Sequence, residues 1–361
     1  MHQSDHCLLW IGDLHPETLG LLYSVGDVEN IENCLDFAAA ETLPTDWMNG
    51  LTAYSFWWII VLYDYYRFTG KTEVLSKHAD YLETLIKNTE SLIGEDGSTK
   101  FPSDFLDWPT SGSADAAEGV AALAKIACDK AAILLRIADR DASRAENAAA
   151  KLSRRKPPRL THKQAVAMRY LAFNDDPKTV GEILTANGAK GLSTFMSYYV
   201  LSAMSRAAGT ADALDVMKEY YGGMLEKGAT SFWEDFDMDW IDESGRIDEL
   251  PRDGQKDIHG DYGKYCYTGF RHSLCHGWSC GPIQFLSERV LGVCVTDVGC
   301  KKITVAPNLC GLSYVNGKFP TPYGVVDIRH EATADGVKTN IIAPKEIEFS
   351  LIGCKAEIKL I

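Results

Sequence analysis

No stretch of eighteen apolar residues occurs in this chain of 361, so nothing in it reads as a membrane-spanning helix. The longest apolar cluster, Phe56 to Tyr63, ends at Asp64. Excess positive charge is also lacking. With 36 basic against 50 acidic residues the net charge is −14, which makes nucleic acid and anionic lipid poor partners. The single basic run, Arg154-Arg155-Lys156 with Arg159, reads as a solvated turn. No GxGxxG or GxxxxGK[ST] phosphate loop appears, which argues against a nucleotide cofactor. None of the ten cysteines forms a CxxC pair, so a zinc site lacks its spacing, and reduced core thiols are expected. Ser273 and His276 carry no nucleophile-elbow pattern around that serine, which counts against a serine hydrolase. No charged-then-apolar leader follows Met1. A soluble chain, cytoplasmic or periplasmic, is expected, with no cofactor and no metal.

What is present is helix after helix. Residues 73–87 put Leu75, His78, Leu82 and Leu85 on one face, the 3.6-residue period of an amphipathic helix. Residues 117–139 repeat that period in Ala, Leu and Ile. Thr161 to Gln164 has the form of a capping box, and Asp176-Pro177 reads as an N-cap followed by proline at the first helical position. Further helices are expected over 193–207 and 210–226. After about residue 292 the period falls to two, and the runs 302–307, 324–330, 337–342, 346–352 and 355–361 read as strands of a small antiparallel sheet. The expected organisation is a helical domain over 1–291 and a β-sandwich-like domain over 292–361. The loops are rich in Trp, Asp and Glu, which suits a concave site at one end of a closed helical barrel better than a plain repeat scaffold.

Four segments concentrate the chemistry. The first runs from Asp5 through His6, Trp10 and Asp13 to Glu17. The second is Asp104 with Asp107-Trp108, and Asp46-Trp47 has the same character. The third is Gly228 to Asp235 with Trp233-Glu234, and the fourth Arg271 to Pro282 with His276 and Trp278. Glycoside hydrolysis needs one carboxylic acid to protonate the leaving oxygen and one carboxylate to activate water or attack the sugar. Indoles stack on a pyranose face, and a carboxyl beside one can have the raised pKa that a general acid needs. Acids next to tryptophans in separate loops fit that demand.

In order and spacing these segments resemble the catalytic domain of glycoside hydrolase family 78, the α-L-rhamnosidases. Trp10-Ile11-Gly12-Asp13 is similar to that family's acidic W-T/I-G-D segment, Gly228 to Glu234 to its G-A-T-T-x-W-E segment, and Ser273-Leu-Cys-His276 to its S-x-x-H segment. Val305-Ala-Pro307 and Thr321 to Val325 resemble its C-terminal β-domain. The resemblance implies a mostly α fold, an (α/α)6 barrel of the six-hairpin glycosidase type incomplete at its N-terminus, with the β-domain appended. It implies an inverting glycosidase that removes terminal α-L-rhamnose from glycans or glycosides without a metal. It assigns the general base to Glu234 and places Asp13 among the sugar-binding carboxylates. Asp107, Trp108, Trp233 and His276 would line the sugar pocket, with His6, Trp10, Trp47 and Trp278 as further contacts. The sequence departs from the family where the general acid stands, four residues before the motif's tryptophan: His6 occupies that position, and Asp5 is the nearest carboxylate. The rival readings are a catalytically impaired glycan-binding homologue or fragment, or another (α/α)6 exo-glycosidase. A lyase would favour a basic site, which these acidic loops do not offer.

Overall fold

The computed structural model describes residues 9–156, 158–250 and 273–361. Asp5 and His6 therefore lie outside the described residues, as do Arg271 and His272.

Eleven α-helices occur among the described residues. Six form an inner ring: α1 (Ile11–Ser24), α3 (Thr52–Thr69), α5 (Ala114–Ile137), α7 (Lys163–Phe173), α9 (Ser197–Ala207) and α11 (Gly281–Phe285, continued by a π-helical turn over Leu286–Val290). Each packs on the next, and α11 returns to α1, so the ring closes. Five outer helices cover it: α2 (Glu29–Glu41), α4 (Thr72–Ser91), α6 (Ser143–Leu152), α8 (Pro177–Thr185) and α10 (Thr210–Glu226). This is an (α/α)6 barrel with one outer helix fewer, among the described residues, than the full set.

The sequence explains which helices lie inside. The apolar cluster from Phe56 to Leu62 forms the middle of α3 and is buried on every side. A helix apolar all round belongs in a core. The alanines of α5 let it pack closely on α3, α6 and α7. By contrast α4 buries Val74, Leu75, His78, Leu82, Leu85 and Ile86 and exposes its opposite face, as an outer helix should. Among the described residues no helix is long and apolar enough to cross a membrane.

Several local expectations change. The capping box at Thr161 does not form. α7 starts at Lys163 without a side-chain cap, and the Asp115 carboxylate instead accepts from the Thr161 and His162 backbone N–H groups at 2.7 and 2.8 Å. Asp176 does cap α8, accepting from the Thr179 N–H at 2.9 Å, with Pro177 at the first helical position. The basic run is not merely solvated, because Arg155 makes a two-pronged bond to the buried Glu118 carboxylate and also donates to Gly97 O at 3.0 Å. Of the eight described cysteines only Cys128, Cys280 and Cys300 are buried, so core packing does not account for all of them.

The strand-rich tail begins at Val293. One sheet holds β1 (Val293–Val295), β2 (Lys302–Val305) and β6 (Glu348–Leu351). The other has the order β3 (Tyr314–Thr321), β4 (Gly324–Thr333), β5 (Gly336–Ala343) and β7 (Cys354–Leu360). The pairing is antiparallel except for β2–β6 and β5–β7, which are parallel. The antiparallel expectation holds for most of the pairing; the two parallel partners return by crossovers that the local pattern cannot show. The tail packs on the ring through β3 against α1 and through residues 298–300 against α3. Gly292 makes the junction: its φ is +76°, and a Cβ there would lie 2.2 Å from Ala306 O, so only glycine fits.

Candidate active site

The chemistry-bearing loops are those that lead into the inner helices. Asp13 sits in the first turn of α1 and Tyr54 in that of α3. Asp107-Trp108 precedes α5, Ser193 and Thr194 precede α9, and Glu234 and His276 lie between α10 and α11. The ring thus brings residues more than two hundred positions apart to one end of the barrel.

Hydrogen bonds stitch these loops to one another. Asn49 holds the start of α1 at both ends of its amide: Oδ1 accepts from Ile11 N at 3.1 Å, and Nδ2 donates to Leu9 O at 3.0 Å. It does so from a left-handed conformation, φ +53°, which asparagine tolerates better than most residues. Gly12 of the Trp-Ile-Gly-Asp segment permits the next contact, because a Cβ there would stand 2.5 Å from the Tyr54 ring. Ser193 donates its hydroxyl to Asp107 Oδ2, while Asp107 Oδ1 accepts from Trp108 N at 2.8 Å. The Glu234 carbonyl accepts from Trp278 Nε1 at 2.7 Å and from Thr194 Oγ1 at 2.5 Å. Glu234 and Ser273 bond twice, Glu234 N to Ser273 O at 2.8 Å and Ser273 N to Glu234 Oε2 at 2.6 Å. Glu234 is thereby fixed at its backbone and at one carboxylate oxygen.

The other oxygen faces His276. His276 Nε2 lies 3.9 Å from Glu234 Oε1 and 3.7 Å from Asp13 Oδ2. Both distances exceed a hydrogen bond, and they place the two carboxylate oxygens within about 8 Å of each other. Burial lowers the His276 pKa, with Glu234 opposing, so the ring is neutral near pH 7. Its Nδ1 accepts from Trp278 N at 3.3 Å, which puts the ring proton on Nε2, toward the two carboxyls.

These acids do not titrate ordinarily. Burial raises Asp13 well above the usual carboxylate range, and the nearby charges of Glu17 and Glu234 push it further. Glu17, one turn on along α1, is itself raised by burial. Its carboxylate packs on Gly277, where a Cβ would lie 2.4 Å from Oε1. Asp107, only 2% exposed, is pushed up to about 7 by burial against the opposing pull of Ser193 and Trp108 N. Asp235 is pushed up to about 7 by burial, Asp107 and Glu234. Crowded carboxyls in a poorly solvated place cannot all ionise, so this end of the barrel stores protons near neutral pH.

The tryptophans divide. Trp278 is buried between His276 and Phe195, with ring centroids 4.7 and 5.3 Å away. Trp108 is half-buried against Phe105 at 5.0 Å, and Trp10, 38% exposed, stands edge-on to Tyr54 at 6.2 Å. Trp47 packs on Phe56 and Phe101 at the α2–α3 corner. Trp233 corrects the expectation of a pocket-lining ring: it is fully buried, edge-on to Phe236 at 5.9 Å, and backs the Glu234 loop instead of presenting a face. Gly277-Trp278-Ser279-Cys280-Gly281 formally reads GxSxG, but Ser279 is completely buried and donates its hydroxyl to Trp233 O, so it is a structural serine.

Sequence reasoning passed over Asn49, Tyr54, Ser193 and Thr194 as site residues, and it did not carry Glu17 into the site. Only Glu17 had a signal, four residues after Asp13 and so on the same helix face.

Residues 292–352 match the family described as the bacterial alpha-L-rhamnosidase C-terminal domain. A comparison with curated proteins finds no match. Among solved structures the chain is similar to the GH78 family rhamnosidase of Bacillus sp. GL1, with a TM-score of 0.76 and 22% identity over 98% of this chain and 40% of that one. It is also similar to the alpha-L-rhamnosidase of Dictyoglomus thermophilum, with a TM-score of 0.74 and 16% identity over 95% of this chain and 40% of that one. For the Streptomyces avermitilis alpha-L-rhamnosidase complexed with L-rhamnose the TM-score is 0.73 and the identity 13%, over 95% of this chain and 34% of that one. The chain spans about two-fifths or less of the length of these proteins, and across that span it shares their barrel and C-terminal β fold.

Proposed function

We propose that the chain is the barrel and β-domain of a glycoside hydrolase of the α-L-rhamnosidase type, acting on terminal α-L-rhamnose with inversion. The observation that carries this reading is the grouping of Asp13, Glu234 and His276 at one end of the ring, with both carboxyls within 4 Å of the same imidazole nitrogen. An inverting enzyme needs its two carboxyls roughly 6.5–9.5 Å apart, and the shared imidazole caps this pair at about 8 Å.

Glu234 is the base. With Oε2 held by Ser273 N, its Oε1 edge takes the proton from the attacking water. Among the described residues Asp13 is the best proton donor, because burial and its acidic neighbours keep it protonated where an ordinary aspartate is ionised. The leaving oxygen receives that proton as the bond to the anomeric carbon breaks. The Nε2–H of neutral His276 offers a hydrogen bond to a sugar hydroxyl between them. Trp278 fixes both neighbours, donating to Glu234 O and tying His276 Nδ1 through its backbone N–H. Asp5, the carboxylate nearest the family's acid position, which His6 occupies, is the alternative donor.

The test is turnover of an aryl α-L-rhamnoside by the protein and by Glu234→Gln. A loss of roughly 10²–10⁴-fold in the variant is expected. Equal turnover would remove Glu234 as the base. No turnover in either, with rhamnose still bound, would leave a glycan-binding homologue.

A further inference from the structure

Deeper along the barrel axis the inner helices enclose a second cavity of about 370 Å³. It is set apart from the acidic end by a layer of rings, in which His15, Trp57 and Tyr199 contact one another at centroid distances of 5.0–5.8 Å. Its charged lining is Asp64 and Arg67 from α3, Lys130 from α5, Arg206 from α9, and Glu288 and Arg289 from the π-helical end of α11. Four cations thus face two anions.

Both anions are already engaged. Asp64 accepts from Lys130 Nζ at 2.9 Å and from His15 Nε2 at 3.0 Å. Burial opposes its charge, yet Lys130 and His15 hold its carboxyl below the usual range. Glu288 accepts from Tyr23 OH, Tyr198 OH and Gln284 Nε2 at 2.7–2.9 Å. The lining therefore keeps an excess of two positive charges, carried by the arginines. Arg67 and Arg289 are half-buried, and Arg206 is exposed. Arg67 spends one N–H on Val295 O and Arg289 one on Ser202 Oγ at 3.0 Å. Cys294 lines the cavity beside them; burial and Glu288 raise its thiol pKa, and all three arginines oppose the rise. Two buried polar atoms of the lining have no hydrogen-bond partner among the described residues: Arg289 Nε, a donor, and Oε1 of Gln284, an acceptor on a side chain only 4% exposed.

Unbalanced cations in a partly enclosed space are costly until a counter-anion arrives. Planar guanidinium forks match phosphoryl and carboxylate oxygens. We infer that this cavity binds a small dianion, of the phosphate-monoester or dicarboxylate class. The site is separate from the carboxyl cluster, and the inference does not rest on the proposed hydrolysis.

Cys294 at the mouth reports on occupancy. Alkylation by iodoacetamide is followed by peptide mass, with Cys275, also exposed, as the internal control. Glycerol 3-phosphate and malate serve as the two probes, and glycerol as the uncharged comparison. At a probe concentration ten times Kd, protection of Cys294 should be about tenfold, with Cys275 unchanged. Arg206→Gln, at an exposed position, should abolish most of it. Protection by glycerol 3-phosphate alone would assign the phosphate class, and by malate alone the dicarboxylate class. No protection by either probe, equal protection by glycerol, or full protection in Arg206→Gln would overturn the assignment.

Discussion

Asp107→Asn should stabilise the protein at pH 8 and leave it nearly unchanged at pH 5. The Asp107 carboxyl is 2% exposed and moves from the ordinary 3.8 to about 7 on folding. A carboxyl raised in the folded state contributes its full stability below the unfolded value, and that contribution is lost as the pH rises through the folded value. The window is therefore about pH 4 to 7. A displacement of this size is linked to roughly 4 kcal/mol, an upper bound because Ser193 and Trp108 N stay in place to receive the charge. Asparagine keeps the shape, accepts from Trp108 N as aspartate does, and never ionises. On the scale of roughly 2 °C per kcal/mol for a large domain, the variant should melt several degrees above the parent at pH 8 and within about a degree of it at pH 5. Melting curves of both proteins at half-unit pH steps make the comparison. A gap that stays constant with pH, or opens toward acid, would refute the burial argument for Asp107.

Two further outcomes follow from the same geometry. Trp278→Phe removes the indole donor to Glu234 O, a bond worth roughly 0.5–1.5 kcal/mol. The variant should stay folded by circular dichroism, with kcat down several-fold and KM little changed, while a loss confined to KM would contradict the positioning role. If Asp13 is the proton donor, Asp13→Asn should lose far more activity on alkyl rhamnosides, whose leaving groups need protonation, than on activated aryl ones. Losses equal on both substrates, with the steep dependence found in Asp5→Asn instead, would move the proton to Asp5.

Much of this was readable from the chain because helices announce themselves locally. The 3.6-residue period of α4, the alanine run of α5 and the Asp176-Pro177 start of α8 are properties of neighbouring residues, and folding respects them. The closed ring needed family resemblance, since nothing within one helix says that α11 meets α1. β3 escaped notice because Gly317 and Pro320 interrupt its pattern, which an edge strand tolerates. In the site, Asp13, Asp107, Glu234, His276 and Trp278 stand out as residue types, but what fixes them is side-chain bonding between loops distant in sequence. Asn49 holding α1, Ser193 on Asp107 and Thr194 on Glu234 O are ordinary loop residues until the ring closes. Trp233 misleads in the opposite way. An indole beside an acid suggests a sugar platform, yet the packing of Phe236 and α10 takes it into the core. The supposed capping box at Thr161 fails for a tertiary reason too, because Asp115 reaches its backbone first.

The most direct test of the central claim is proton NMR of the first sugar released from an aryl α-L-rhamnoside, recorded before mutarotation. A base at Glu234 acting through water, opposite a protonated carboxyl, predicts β-L-rhamnose as the initial product. Initial release of the α-anomer would mean attack by an enzyme carboxylate, and it would contradict Glu234 as a base acting on water.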